Sequence, residues 1–186
     1  MTKTIEEYVL DADYIRTFLE IGCCPEWMHM IPRQYVLLDT VKGEVDGFPP
    51  LFAPLVEGYI SRGEITYKEI AANSMEFFER IELKRQYGIG AGETAVLAYC
   101  KCRKQNGEVG IVTSNNMSEL GAIILELNLG VWSSTMQMIQ LYDKGLINLI
   151  EAEKAWQDMK KHKRRTPKYD TFAGVLKNRS KIFTLH

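Results

Sequence analysis

No stretch of the chain approaches 18 uninterrupted apolar residues, and its start, Met1-Thr2-Lys3-Thr4-Ile5-Glu6-Glu7, lacks the apolar core of a secretion signal. A membrane-spanning helix and a signal peptide are therefore not expected. Net charge is nearly absent as well. A formal −1 over 186 residues gives no overall pull toward nucleic acid, so such binding would need a local patch. Cysteine is scarce: the four occur as Cys23-Cys24 and Cys100-x-Cys102, neither of which has the Cys-x2-Cys spacing of a zinc pair. Reduced thiols in a cytoplasmic protein are the expectation. The only histidines are His29, His162 and His186. No Gly-x-Ser-x-Gly offers a hydrolase elbow, and there is no internal repeat. Gly88-x-Gly90-x-Gly92 lacks the Lys-Ser/Thr of a phosphate loop and follows no strand, so it reads as a turn.

What is present is ordinary globular material, 46% hydrophobic and 25% charged, enough for one domain with a real core. Short apolar runs at Tyr8–Leu10, Tyr35–Leu38, Val109–Thr113 and Gly130–Ser133 read as strands, with an edge strand at Glu64–Tyr67. Helical spacing appears in Tyr14–Ile21 (stopped by Gly22), Val41–Val45, Leu51–Ile60, Lys68–Gln86, Glu93–Cys102, Asn116–Asn128, Met136–Tyr142 and Ala152–Lys161. Met136, Met138 and Trp156 read as core or dimer surface. Strands alternating with helices predict an α/β protein, a three-layer α/β/α sandwich with a central parallel sheet. The domain is expected over residues 1–165, with 166–186 as a C-terminal extension.

Polar residues end several of these runs: Asp11 after the first strand, Glu44 on the helix after the second, Glu93 opening a helix, and Asn115 after Val109–Thr113. In a parallel sheet such positions converge on one crevice. Three carboxylates and an amide there suit a hard cation such as Mg²⁺, which takes oxygen ligands and keeps several waters. Each also has a plainer role. Asp11 can cap a helix, Glu93 can answer a helix dipole, and Glu44 can sit in solvent. Asn116-x-x-Glu119 has the shape of a capping box, which would leave Asn115 to face the crevice. Lys160, Lys161, Lys163, Arg164, Arg165 and Lys168 crowd one nine-residue segment. It reads as a solvated helix end or as a patch for RNA phosphates.

Taken in order, Val9-Leu-Asp11-Ala-Asp13, Thr40-Val-Lys-Gly-Glu44-Val, Gly90-Ala-Gly92-Glu93-Thr-Ala and Gly110-Ile-Val-Thr-Ser-Asn115-Asn116 resemble the PIN-domain nucleases. In order and spacing they look like bacterial toxin ribonucleases of the VapC type and their relatives. Leu127-Asn-Leu-Gly130-Val-Trp and Leu141-Tyr-Asp-Lys-Gly145-Leu-Ile extend it to about residue 160. The resemblance implies a Mg²⁺- or Mn²⁺-dependent hydrolase cutting RNA, with Asp11, Glu44 and Glu93 as catalytic metal ligands. Asn115, or its neighbour Asn116, falls where the family keeps a fourth acid. The resemblance also implies a toxin–antitoxin pair with a small antitoxin partner, and a homodimer. The amide in place of the fourth acid leaves a second expectation: a catalytically reduced PIN domain that binds nucleic acid or protein.

Overall fold

A computed structural model describes residues 6–21 and 25–183. Gly22, Cys23, Cys24 and His186 lie outside the described residues. The chain runs β1 (Glu6–Leu10), α1 (Ala12–Glu20), α2 (Pro25–His29), β2 (Gln34–Leu38), α3 (Asp39–Asp46), α4 (Ala53–Ser61) and β3 (Ile65–Lys68). It continues through α5 (Met75–Tyr87), α6 (Ala91–Gln105), β4 (Val109–Thr113), α7 (Met117–Glu126) and β5 (Gly130–Trp132). Helices α8 (Ser134–Asp143), α9 (Leu149–Lys161), α10 (Phe172–Lys177) and α11 (Arg179–Phe183) complete it.

All five strands are parallel, in the order β3-β2-β1-β4-β5. After the first residue β1 and β2 are buried throughout, as expected of inner strands covered by helices on both faces. The short β3 lies at an edge with Tyr67 exposed. Sheet growth proceeds outward from β1 through β2 to β3. The chain then crosses back through α5 and α6 to enter β4 on the other side of β1. That reversal makes the β1/β4 boundary the topological switch point, where α/β sheets open a crevice beyond their strand ends.

Packing of α6 on β4 is close enough to demand glycine. A Cβ on Gly110 would stand 2.9 Å from the Cα of Cys100, a clash with backbone that no side-chain rotation relieves. At the start of β1, Glu7 is buried at 3% exposure but well matched. It accepts from Tyr99 Oη (2.7 Å) and Lys68 Nζ (3.0 Å), and Arg103 Nε lies 3.1 Å away.

The sequence-based elements fall close to the observed ones, with three differences. Helix α5 begins at Met75 instead of Lys68, because the Ser74 hydroxyl accepts from the Phe77 N–H (3.2 Å) and sets the first turn there. Helix α2 has no counterpart in the expected elements. Residues 172–183, read as an extension, form α10 and α11. Phe172 and Val175 are fully buried in the same core as the sheet, so this segment is packed against the domain. Among the described residues no helix is long and apolar enough to cross a membrane.

Replacing Gly110 by Ala is expected to destabilise the fold by about 1–3 kcal/mol, the usual cost of overpacking. A denaturant titration measures this, and an unchanged midpoint would contradict the packing described for α6.

Candidate functional site

The switch point is where the polar residues gather. Asp11 ends β1 and precedes α1, in extended conformation and with no capping bond from its side chain. It is held instead by the neighbouring strand end. The Asp11 N–H donates to Thr113 Oγ1 (3.2 Å), and Ser114 Oγ donates to Asp11 Oδ2 (3.2 Å).

Glu44 arrives from α3 and accepts from the Gly92 N–H with Oε1 (3.0 Å). Gly92 is needed for that approach, since a Cβ there would lie 2.5 Å from Glu44 Oε1. Glu93 reaches back to the Gly90 N–H (3.1 Å). The glycine-rich loop is therefore a helix start at which two carboxylates accept from the Gly90 and Gly92 N–H groups. Gly88, at φ +66°, closes α5.

Asp11, Glu44 and Glu93 line one cavity of about 350 Å³, together with Asp13, Arg16 and Arg165. Burial pushes the Asp11 carboxyl up to about 7; Asp13, Glu93 and Glu44 add to the rise, and the Ser114 hydrogen bond opposes it. Asp13 Oδ1 takes Arg164 Nη1 at 3.3 Å, while Asp13 Oδ2 is buried without a hydrogen-bond partner.

Asn115 does not turn toward these acids. Its Nδ2 donates to Thr17 Oγ1 (3.0 Å), and its Oδ1 accepts from the Ser134 N–H (2.9 Å) and Ser134 Oγ (2.8 Å). It joins α1 to the start of α8. Asn116 takes the position expected of Asn115, donating from Nδ2 to Glu93 Oε1 (2.7 Å) and Glu119 Oε2 (2.5 Å). The capping box expected of Asn116 and Glu119 is replaced by this side-chain contact, and no side-chain capping bond forms at Asn116.

The basic segment divides. Lys160 pairs with Asp170 (3.2 Å), and Lys161 and Lys163 are exposed. Arg164 folds inward onto Asp13 and Glu20, the latter at 3.1 Å. Arg165 lines the acidic cavity. Asp13 and Arg16 lie outside the expected site residues; the acid two residues after Asp11 was the available signal for Asp13.

No family model, curated protein or solved structure matches the chain. The strand order is compatible with PIN-like folds.

The donor set, all oxygen and anionic, suits a hard divalent cation in chemistry. Its arrangement is less ready. Among the described residues no group of three or more His, Cys, Asp or Glu side chains stands in position to hold a metal ion. Glu44 and Glu93 are each engaged by a backbone N–H at the start of α6. The unpartnered Asp13 Oδ2 and the raised Asp11 are nevertheless marks of uncompensated negative charge.

A carboxyl raised in the folded state favours folding while protonated. Its contribution is present in full below about pH 4 and is lost as pH rises toward 7. Asp11→Asn removes that loss. The variant is expected to be more stable than wild type at pH 7.5, by on the order of 2–4 kcal/mol, with the difference vanishing near pH 4. Thermal unfolding across this range measures it, and parallel curves for the two proteins would contradict the assigned charge crowding.

Proposed function

We propose that the protein is a Mg²⁺- or Mn²⁺-dependent ribonuclease of PIN type. The observation that carries this is the convergence of Asp11, Glu44 and Glu93, from three separate elements, on one cavity at the sheet's switch point. The raised Asp11 supports it, because a buried acid with three further acids near it in a cleft marks a candidate functional site. The sequence resemblance supports it independently.

Asp11, Glu44 and Glu93 would hold the ion, with Asp13 beside them. An ion held there would lower the pKa of a coordinated water and offset phosphate charge. Around it the chain's own groups have distinct parts. Ser114 fixes the Asp11 carboxylate, Asn116 holds the second oxygen of Glu93, and Glu44 and Glu93 would exchange the Gly92 and Gly90 N–H groups for the ion. Arg165, with Arg16, brings positive charge to the same cavity, where a phosphodiester would otherwise meet mostly acids. By the same resemblance, the proposal extends to a cytoplasmic toxin restrained by a small antitoxin and acting as a homodimer.

One observation favours a second reading. The Asn116 amide, bonded to both Glu93 and Glu119, brings no charge where a fourth acid would raise cation affinity. A catalytically reduced PIN domain that binds nucleic acid or protein would keep such a site.

Incubating labelled single-stranded RNA with the protein and Mn²⁺ or Mg²⁺ tests the proposal. Wild type is expected to cleave, while Asp11→Asn and Glu93→Gln fall to background. Asn116→Asp is expected to tighten Mn²⁺ binding roughly tenfold, whereas Asn115→Asp brings no gain and disturbs the start of α8. Undiminished cleavage by both acid variants would overturn the metal-site assignment. Cleavage by Asn116→Asp but not by wild type would establish the reduced-site reading.

A further inference from the structure

Beside the acidic cavity lies a larger one, of about 490 Å³, within the size range of small-molecule sites. Its walls come from the first turns of α7 and α8 and from the segment that follows α9. Met117 and Ser118 contribute from α7, Thr135 from α8, and Thr166 and Tyr169 from the following segment. Arg165 lines both cavities, so the two adjoin within the reach of one side chain.

The lining has a particular character. Tyr169 and Met117 offer an aromatic ring and a thioether for a flat apolar body, while Ser118 and Thr135 offer hydroxyls for its polar edge. The positive ends of two helices of ten residues each, together with Arg165, favour an anion at the same place. The floor is rigid, because the Asn115 amide is fully engaged between Thr17 and Ser134. The far wall is tied down as well, since Trp156 Nε1 donates to the Tyr169 carbonyl (3.1 Å).

A flat heteroaromatic body with polar edges and an attached anion is a nucleotide. We propose that this cavity binds one nucleotide of an RNA strand next to the phosphodiester held in the acidic crevice. The base would lie against Tyr169, with its edge toward Ser118 and Thr135 and its phosphate on Arg165. Single-stranded RNA is read in this way, by splayed bases that stack on aromatic side chains. The inference rests on the nuclease reading of the crevice and adds to it a substrate contact separate from the metal ligands. Residues 165–182 would then serve to close the base site.

Binding can be read without cleavage. AMP, GMP, CMP and UMP would be titrated calorimetrically into the full chain in EDTA, with inorganic phosphate and the four nucleosides as separate arms. At least one nucleotide is expected to bind more tightly than phosphate or its own nucleoside. Tyr169→Ala is expected to weaken it about tenfold or more, the scale of a lost stacking contact. Ser118→Phe, at an exposed position, fills the cavity and gives the same loss should Tyr169→Ala fail to fold. Arg85→Ala, on an exposed face of α5 and in neither cavity, leaves nucleotide binding intact. Absence of binding by all four nucleotides, or binding indifferent to Ser118→Phe, overturns the inference. RNA cleavage sensitive to Asp11→Asn alongside either result would leave the nuclease reading standing and remove only the base site. Nucleotide binding without metal-dependent cleavage would do the reverse.

Discussion

Side-by-side parallel pairing of β1 and β4 is the constraint on which the site depends. Five residues of each strand align, from Glu6 opposite Val109 to Leu10 opposite Thr113. The two strands therefore end together, and Asp11 meets Thr113 and Ser114 directly. These strands lie roughly a hundred residues apart in sequence, and only the crossover through α5 and α6 makes them neighbours. That crossover needs Gly110, where α6 rests on the β4 backbone. It also delivers the start of α6, with Gly92 and Glu93, to the same crevice. Core packing and site assembly are thus one event.

The two ends of β1 treat buried charge in opposite ways. Glu7 and Asp11 are almost equally buried, at 3% and 5% exposure. Glu7 has a lysine, an arginine and a tyrosine hydroxyl around it, which is how a fold keeps an interior carboxylate. Asp11 has one serine hydroxyl for a partner, and burial first, with three nearby acids adding to it, pushes its carboxyl up to about 7. Side chains within one strand's length show that the fold is able to neutralise such a charge and leaves it uncompensated at the switch point. Local rules broken at one place, beside others kept, are the usual mark of a working site.

The sheet was legible because its signals are local. Tyr35–Leu38 and Val109–Thr113 are short apolar runs bounded by polar residues, and each became a strand with those residues in it. The sequence singles out Asp11 and Glu93 because each sits near an element boundary, and Glu44 because its helix follows β2 directly. The asparagines were not separable in that way. Asn115 and Asn116 are adjacent and chemically identical, and the turn after β4 decides which faces the acids and which holds Thr17 and Ser134. The partners that fix the turn are distant in sequence. Residues after 166 lacked periodicity because α10 and α11 are too short to show any, and they are held by Phe172 and Val175 entering a core assembled elsewhere. Arg164 and Arg165 looked alike within a basic run. Only the fold of the loop sends one onto Asp13 and Glu20 and the other into the cavity.

The central claim is that the crowded acids at the switch point form a cation site, with the Glu44 and Glu93 carboxylates exchanging the Gly92 and Gly90 N–H groups for the ion. Crystals grown without metal and soaked in MnCl₂, with data collected at an energy where manganese scatters anomalously, test it most directly. An anomalous peak is expected in the cavity, bound by Asp11 and at least one of Glu44 and Glu93. A map with no peak there, and with Glu44 still on the Gly92 N–H and Glu93 still on the Gly90 N–H, would contradict it.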